Sequence, residues 1–269
     1  MKIRLLYVAY AMIALCTIAC TSQENPESMI EEELGIIKFD EDAIEGSSKS
    51  GNSTLSYSAV KTSNDAYLYS VTIDGHKLSA ELFFTHEAIK LHAGNFTLNE
   101  SQKSALLDFS RKLFTYVDNG EGTIALSEYG LIRLMEYWSN APTNHLYTDY
   151  SIGSTDEKAQ IAGRLGNEGI TCIRKGTYVN AEYDDSRGTR SDRVKVGSKA
   201  RNGYGCMGRC GADCGRWWIP SAWTKDCMDH DQCSNVNNSS GGSSDRNCGD
   251  EFNEAADDWA FGVIRGCRG

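Results

Sequence analysis

Hydrophobic and polar positions follow different periods in different parts of the chain. An uncharged apolar run of fifteen residues, Leu5 to Ala19, stands behind Lys2 and Arg4. That is the length of a secretory h-region and is short of the ~20 residues that cross a bilayer. Between Ala66 and Phe84, Tyr67, Tyr69, Val71 and Ile73 share one parity and Asp74-Gly75 supplies a two-residue turn, a pattern that predicts a hairpin. Helical spacing takes over next. Thr97 with Glu100 reads as a capping box, and Leu106, Phe109, Leu113 and Tyr116 recur through Val117. A second helix, Ser127 to Trp138, carries Leu131, Met135 and Trp138 on one stripe and stops before Pro142. Such stripes are core-forming. Ile170, Cys172 and Arg174, then Tyr178-Val179, predict another hairpin around Gly176. Asp226 to Cys233 reads as a helix, and Cys248 to Trp259, rich in Ala and acids, as one antiparallel to it. The whole is expected to be α+β, with a mixed N-terminal region made of a hairpin plus two helices.

Composition narrows the function. The 269 residues are long enough for a core without staples, so the ten cysteines need another explanation. A net charge of -10 excludes a surface built to neutralise nucleic-acid phosphates. The apolar run ends in Thr17-Ile18-Ala19-Cys20, which resembles the lipobox of bacterial lipoproteins, where the Cys becomes the lipidated first residue. The expected division is therefore a signal peptide over 1–19, an acidic tether over 20–34, an N-terminal domain of unknown role over 35–165 and a cysteine-rich domain over 166–269. With Cys16 removed and Cys20 lipidated, eight cysteines remain between 172 and 267, an even number that implies four disulfides in an exported chain. His76, His86, His92 and His145 stand without partner motifs and read as structural or solvent-exposed. Six basic residues between Arg187 and Arg201 interrupt an acidic chain. They read as a solvated loop or as a patch drawn to membrane phosphates.

Chemistry concentrates between Tyr204 and Asp258. In Asp226-Cys227-Met228-Asp229-His230-Asp231-Gln232-Cys233, a cysteine lies three residues before His230 and another three after it. On a helix this holds His230 between two bolted positions while Asp231 projects about 100° round the axis. Upstream, Tyr204 to Gly215 is a glycine-dense loop carrying Cys206, Cys210 and Cys214, whose carbonyls can converge on a hard cation. These residues resemble the secreted phospholipase A2 superfamily, with its Tyr-Gly-Cys…Cys-Gly-x-Gly calcium loop and its helix bearing Cys-Cys-x-x-His-Asp-x-Cys. Asp226 replaces the first helix Cys, Asp213 replaces a loop Gly, and Gly249 stands where an Asp usually follows the later Cys.

The resemblance implies a mainly helical, disulfide-stapled C-terminal domain with two antiparallel helices, acting on phospholipid membranes. It implies calcium-dependent hydrolysis of the sn-2 ester of glycerophospholipids, releasing fatty acid and lysophospholipid. His230 would be the general base, Ca²⁺ would lie between the Asp231 carboxylate and the carbonyls of Arg209, Gly211 and Asp213, and the Gly211 amide would help hold the oxyanion. A second carboxylate would orient His230. Given the family's Cys233–Cys248 bridge, helix rise favours Asp250, with Asp257 as the alternative. The family also implies Cys210–Cys227 and Cys206–Cys267, which leaves Cys172 with Cys214. Two other readings compete: zinc held by Cys227, His230 and Cys233 with the loop cysteines, and a non-catalytic surface lipoprotein using the same scaffold to bind lipid or host protein.

Overall fold

The computed structural model describes residues 31–118, 124–153, 169–201, 205–211, 214, 221–239, 241–242 and 245–269. Strands β1 (Ile36–Asp40), β2 (Ala43–Ser50), β3 (Ser53–Lys61), β4 (Ala66–Ile73), β5 (His76–Phe83), β6 (Ala88–Ala93) and β7 (Tyr150–Ile152) form one antiparallel sheet in sequence order. Helices α1 (Glu100–Val117) and α2 (Leu126–Asn140) intervene between β6 and β7 and cover one sheet face. Strands β8 (Tyr178–Asp185) and β9 (Gly188–Lys195) form a separate antiparallel pair. Helices α3 (Lys225–Asn237), α4 (Gly249–Glu254) and α5 (Ala256–Phe261) follow.

The protein is therefore β-rich, and this corrects the expected α+β arrangement of one N-terminal hairpin, two helices and a mainly helical C-terminal domain. The predicted hairpin is β4–β5, turning on Asp74 and Gly75 at φ of 48° and 86°, the geometry such two-residue turns require. Around it, β2 (AIEGSSKS) and β3 (STLSYSAVK) are half serine and charge, so their buried Ile44, Leu55, Tyr57 and Ala59 form only a faint alternation in sequence. In the C-terminal part, the hairpin turns at Ser186-Arg187 rather than at Gly176, which sits in the bend before β8. The basic residues Arg190, Arg193 and Lys195 belong to strand β9, not to a loop. The expected second antiparallel helix is broken at Ala255 into α4 and α5.

Helix α1 starts at Asn99, whose side chain takes the Gln102 amide while Gln102 reaches back to the Asn99 amide. This reciprocal cap lies two residues beyond the Thr97 expected to start the helix. Helix α2 approaches the sheet closely because residue 130 is glycine. A Cβ there would lie 2.3 Å from the Tyr69 ring, whose hydroxyl donates to the Leu126 carbonyl at 2.7 Å.

One apolar cluster runs from the sheet through α2 into α4 and α5, joining Leu131 and Tyr137 to Phe252, Trp259 and Phe261. At its centre Arg133, 1% exposed, donates to the Trp259 carbonyl through Nε (3.3 Å) and Nη2 (2.9 Å) and pairs with Glu136. The Tyr129 hydroxyl donates to the Ala260 carbonyl at 3.3 Å. Two α2 side chains thus satisfy carbonyls of the last turn of α5, where a cation also complements the helix dipole. Arg133→Met should lower unfolding stability by about 3–5 kcal/mol, because Glu136 stays buried without its guanidinium. Arg133→Met with Glu136→Leu should recover much of that loss in thermal melts, and a double variant no more stable than the single one would contradict this account.

Candidate functional site

Helix α3 is fixed on both flanks before any ligand arrives. Cys227 bridges to Cys210 in the glycine loop (Cα–Cα 5.2 Å) and Cys233 bridges to Cys248 at the start of α4 (5.7 Å), both as the resemblance implied. The other two pairings are corrected. Cys172 joins Cys267 (Cα–Cα 4.8 Å), because Cys172 pairs beside Thr224 while the Trp223 amide donates to the Cys267 carbonyl at 2.8 Å. Cys206 closes a loop of eight residues onto Cys214 (4.9 Å). Four disulfides agree with an extracellular protein.

The β8–β9 hairpin is tied to the helices through buried acids. Asp229 accepts the Glu182 amide at 2.9 Å and pairs with Lys225 at 2.7 Å, and Glu251 accepts the Asp184 amide at 2.7 Å. Asp192 accepts from the Tyr183 hydroxyl at 2.6 Å and from Gln232 Nε2 at 3.0 Å.

His230 and Asp231 line a cavity of about 190 Å³ whose walls include Arg209, Gly211, Phe252 and Trp259. His230 Nε2 lies 3.0 Å from the Gly241 carbonyl. A carbonyl oxygen only accepts, so Nε2 carries the proton and the neutral ring keeps its lone pair on Nδ1. Nδ1 is 3.8 Å from Asp231 Oδ1 and the ring stands edge-on to Phe252 at 5.5 Å. Asp231 is 7% exposed and its Oδ2 accepts the Gly208 amide at 2.8 Å. Burial pushes its carboxyl pKa up, partly offset by His230, the Gly208 amide and the Arg209 charge.

The sequence-derived site assembles in part. His230, Asp231, Arg209 and Gly211 meet at one cavity. Asp250 does not reach His230: it lines a separate depression with Asp184, Asp185 and Arg246. Asp257 is buried on α5 beside Tyr137, and the hydrogen bond and ion pair of His230 go instead to Gly241 and Asp231. The backbone of Gly241 takes the place expected for a carboxylate. Asp213, Cys20 and the expected signal peptide over 1–19 lie outside the described residues. Among those that are described, no three His, Cys, Asp or Glu side chains cluster as metal ligands. A buried carboxylate beside a glycine loop nevertheless fits calcium in donor type, since Ca²⁺ takes carboxylate and carbonyl oxygens. Sequence reasoning missed Gly241 and also Tyr137, Asn140 and Pro142, which line the same cavity from the N-terminal region. The Gly241-Gly242 pair marks a loop, but nothing local says whose imidazole its carbonyl meets.

Residues 168–269 match a family model described as a domain of unknown function (DUF8213). No curated protein and no solved structure matches the chain. The matched span carries His230, Asp231 and all four disulfides, whereas Tyr137, Asn140 and Pro142 fall outside it.

Gly241, at φ 68°, has no room for a side chain: a Cβ would lie 2.4 Å from His230 Nε2 and 2.4 Å from Ser234 Oγ. Gly241→Ala should therefore displace the imidazole and abolish the protected ring N–H proton resonance of His230 in NMR, and its persistence would refute the assigned tautomer.

Burial raises the Glu251 pKa to about 9, with Glu254, Asp250 and Asp229 adding to the rise. An unfolded glutamate titrates near ~4.3, so the stability associated with the protonated group is complete below that pH and is lost as pH rises towards the folded value. Glu251→Gln keeps an oxygen for the Asp184 amide and cannot ionise. It should flatten the fall in stability between about pH 5 and 9 and gain roughly 1–3 kcal/mol at the alkaline end, measured by denaturant melts.

Proposed function

We propose that the protein is a calcium-dependent lipase of phospholipase A2 type, hydrolysing the sn-2 ester of glycerophospholipids at a membrane surface. The observation that carries this reading is the His230 ring, whose Nε2 is committed to the Gly241 carbonyl within an aromatic-lined cavity. Nδ1 is then the basic atom, and it takes a proton from water as that water attacks the ester carbonyl. Protonation makes the ring a cation, which the Asp231 carboxylate 3.8 Å away stabilises. Gly211, at φ 132°, lines the same cavity, and by the resemblance its amide would help hold the oxyanion. Asp231 and the carbonyls of Arg209 and Gly211 would hold calcium, which when bound supplies electrophilic polarisation of the ester and charge for the phosphate.

Two features of the chain support a membrane partner. Arg190, Arg193 and Lys195 are exposed on β9, with Arg193 lying 5.2 Å over the Tyr178 ring. The Thr17-Ile18-Ala19-Cys20 sequence would anchor the chain to a bacterial membrane through lipid on Cys20. Among the described residues, no helix is long and apolar enough to cross a membrane.

His230→Gln should reduce fatty-acid release from mixed phospholipid vesicles by at least about 10²-fold, with the thermal midpoint unchanged because the disulfides hold α3. Asp231→Asn should raise the calcium concentration needed for half-activity. Wild-type release by His230→Gln would overturn the hydrolase reading in favour of a non-catalytic lipid-binding protein, and full activity in excess chelator would overturn the calcium assignment.

A further inference from the structure

We propose that helix α2 of the N-terminal region forms one wall of the lipid cavity, and that Asn140 there selects phospholipids whose head groups carry N–H or O–H donors over choline lipids. This rests on the lipase reading above.

The cavity lining joins two chemically distinct sets of residues. Tyr137, Phe252 and Trp259 are buried at 4%, 5% and 7% exposure and pack ring on ring, Tyr137 stacking on Phe252 at 5.2 Å and meeting Trp259 edge-on at 5.5 Å. Among the described residues, the buried Nε1–H of Trp259 makes no hydrogen bond although the residue lines the cavity. An unsatisfied buried N–H costs ~1–3 kcal/mol, which an ester carbonyl accepting from it would repay. Asn140, Asn235 and Ser239 are half-buried polar residues of the same lining. The aromatic residues suit acyl chain and glycerol ester, which leaves the polar residues for the head group.

Asn140 has a defined orientation. Its Nδ2 donates to the Glu136 carbonyl at 2.8 Å, so the amide cannot be reversed and Oδ1 is left as an acceptor. An acceptor recognises the ammonium of ethanolamine or the hydroxyls of glycerol. Choline has neither N–H nor O–H to give, and burying Oδ1 against its methyl groups leaves the oxygen unpaired.

The same segment also backs the catalytic loop. A Cβ on Gly242 would lie 3.4 Å from Pro142 Cβ and 3.5 Å from His145 Nδ1. His145 packs on Phe252 at 4.8 Å, and burial pushes its pKa down to about 4, so it is an uncharged spacer. The family model stops short of this wall at residue 168, and the cavity is incomplete without it.

The test uses the full-length chain and vesicles of phosphatidylethanolamine, phosphatidylglycerol or phosphatidylcholine diluted in a non-hydrolysable ether lipid. Wild type should release fatty acid from the first two with kcat/KM roughly tenfold above the third, the value of one hydrogen bond of ~1.4 kcal/mol. Asn140→Leu should bring the ratio near one. Asn140→Ala, which adds no bulk, should do the same if the leucine variant misfolds, and Asn140→Ser should keep part of the preference. Trp259→Phe should lower kcat/KM on all three lipids, and Leu68→Thr on the solvent face of β4 should change nothing. Unequal release by wild type that persists in both Asn140→Leu and Asn140→Ala, or equal release by wild type, overturns the wall assignment and leaves the lipase reading standing. Absence of release from every vesicle by wild type overturns the lipase reading, and this proposal with it.

Discussion

A buried guanidinium holds the two halves of this protein in register. Arg133 spends its hydrogen bonds on the Trp259 carbonyl and its charge on Glu136, in a place where water cannot substitute for either. Because α5 ends in the core rather than at the surface, its terminal carbonyls must find donors inside the protein. Arg133 and Tyr129 on α2 are those donors. The consequence reaches the site: once α5 is seated, Trp259 and the preceding Phe252 are presented to Tyr137, and the cavity floor is built from both halves of the chain.

The helix that carries His230 is held by a different logic. Helix α3 has almost no amphipathic character of its own, with Asp226, Asp229 and Asp231 among its buried residues. What seats it is covalent and polar: two disulfides, the Asp229 carboxylate on the β8 backbone and the Gly208 amide on Asp231. A helix fixed this way can carry an imidazole into an apolar cavity without relying on the imidazole for stability. The loop at Gly241 then sets the tautomer, because its carbonyl can only accept.

Parts of this were legible from the residues. The β4–β5 turn at Asp74-Gly75 and the stripes of α1 and α2 are local signals, and they mark elements the structure contains. The Cys227-x-x-His230-Asp231-x-Cys233 spacing marked α3 and the pair of residues at the cavity, and the family resemblance implied its two bridges. The sheet around β4–β5 was not legible, since serine-rich β2 and β3 owe their stability to cross-strand pairing and to one buried side chain in two. Nor was the basic segment on β9, whose outward charges look like loop because only the side facing the helices is protected.

Sequence by itself determined the residue types that chemistry needs and the short-range geometry that presents them: a histidine and an aspartate adjacent on one helix, between cysteines, downstream of a glycine loop. Local spacing suffices there because helix rise and turn are fixed by the backbone. Tertiary structure alone decided the rest. That Cys172 meets Cys267 across 95 residues, that His230 is oriented by a backbone carbonyl and not by Asp250, and that α2 closes the cavity are all contacts between segments distant in the chain. Such contacts arise from how separately stable elements bury their apolar faces and satisfy their helix ends together, and no local pattern of residues encodes that outcome.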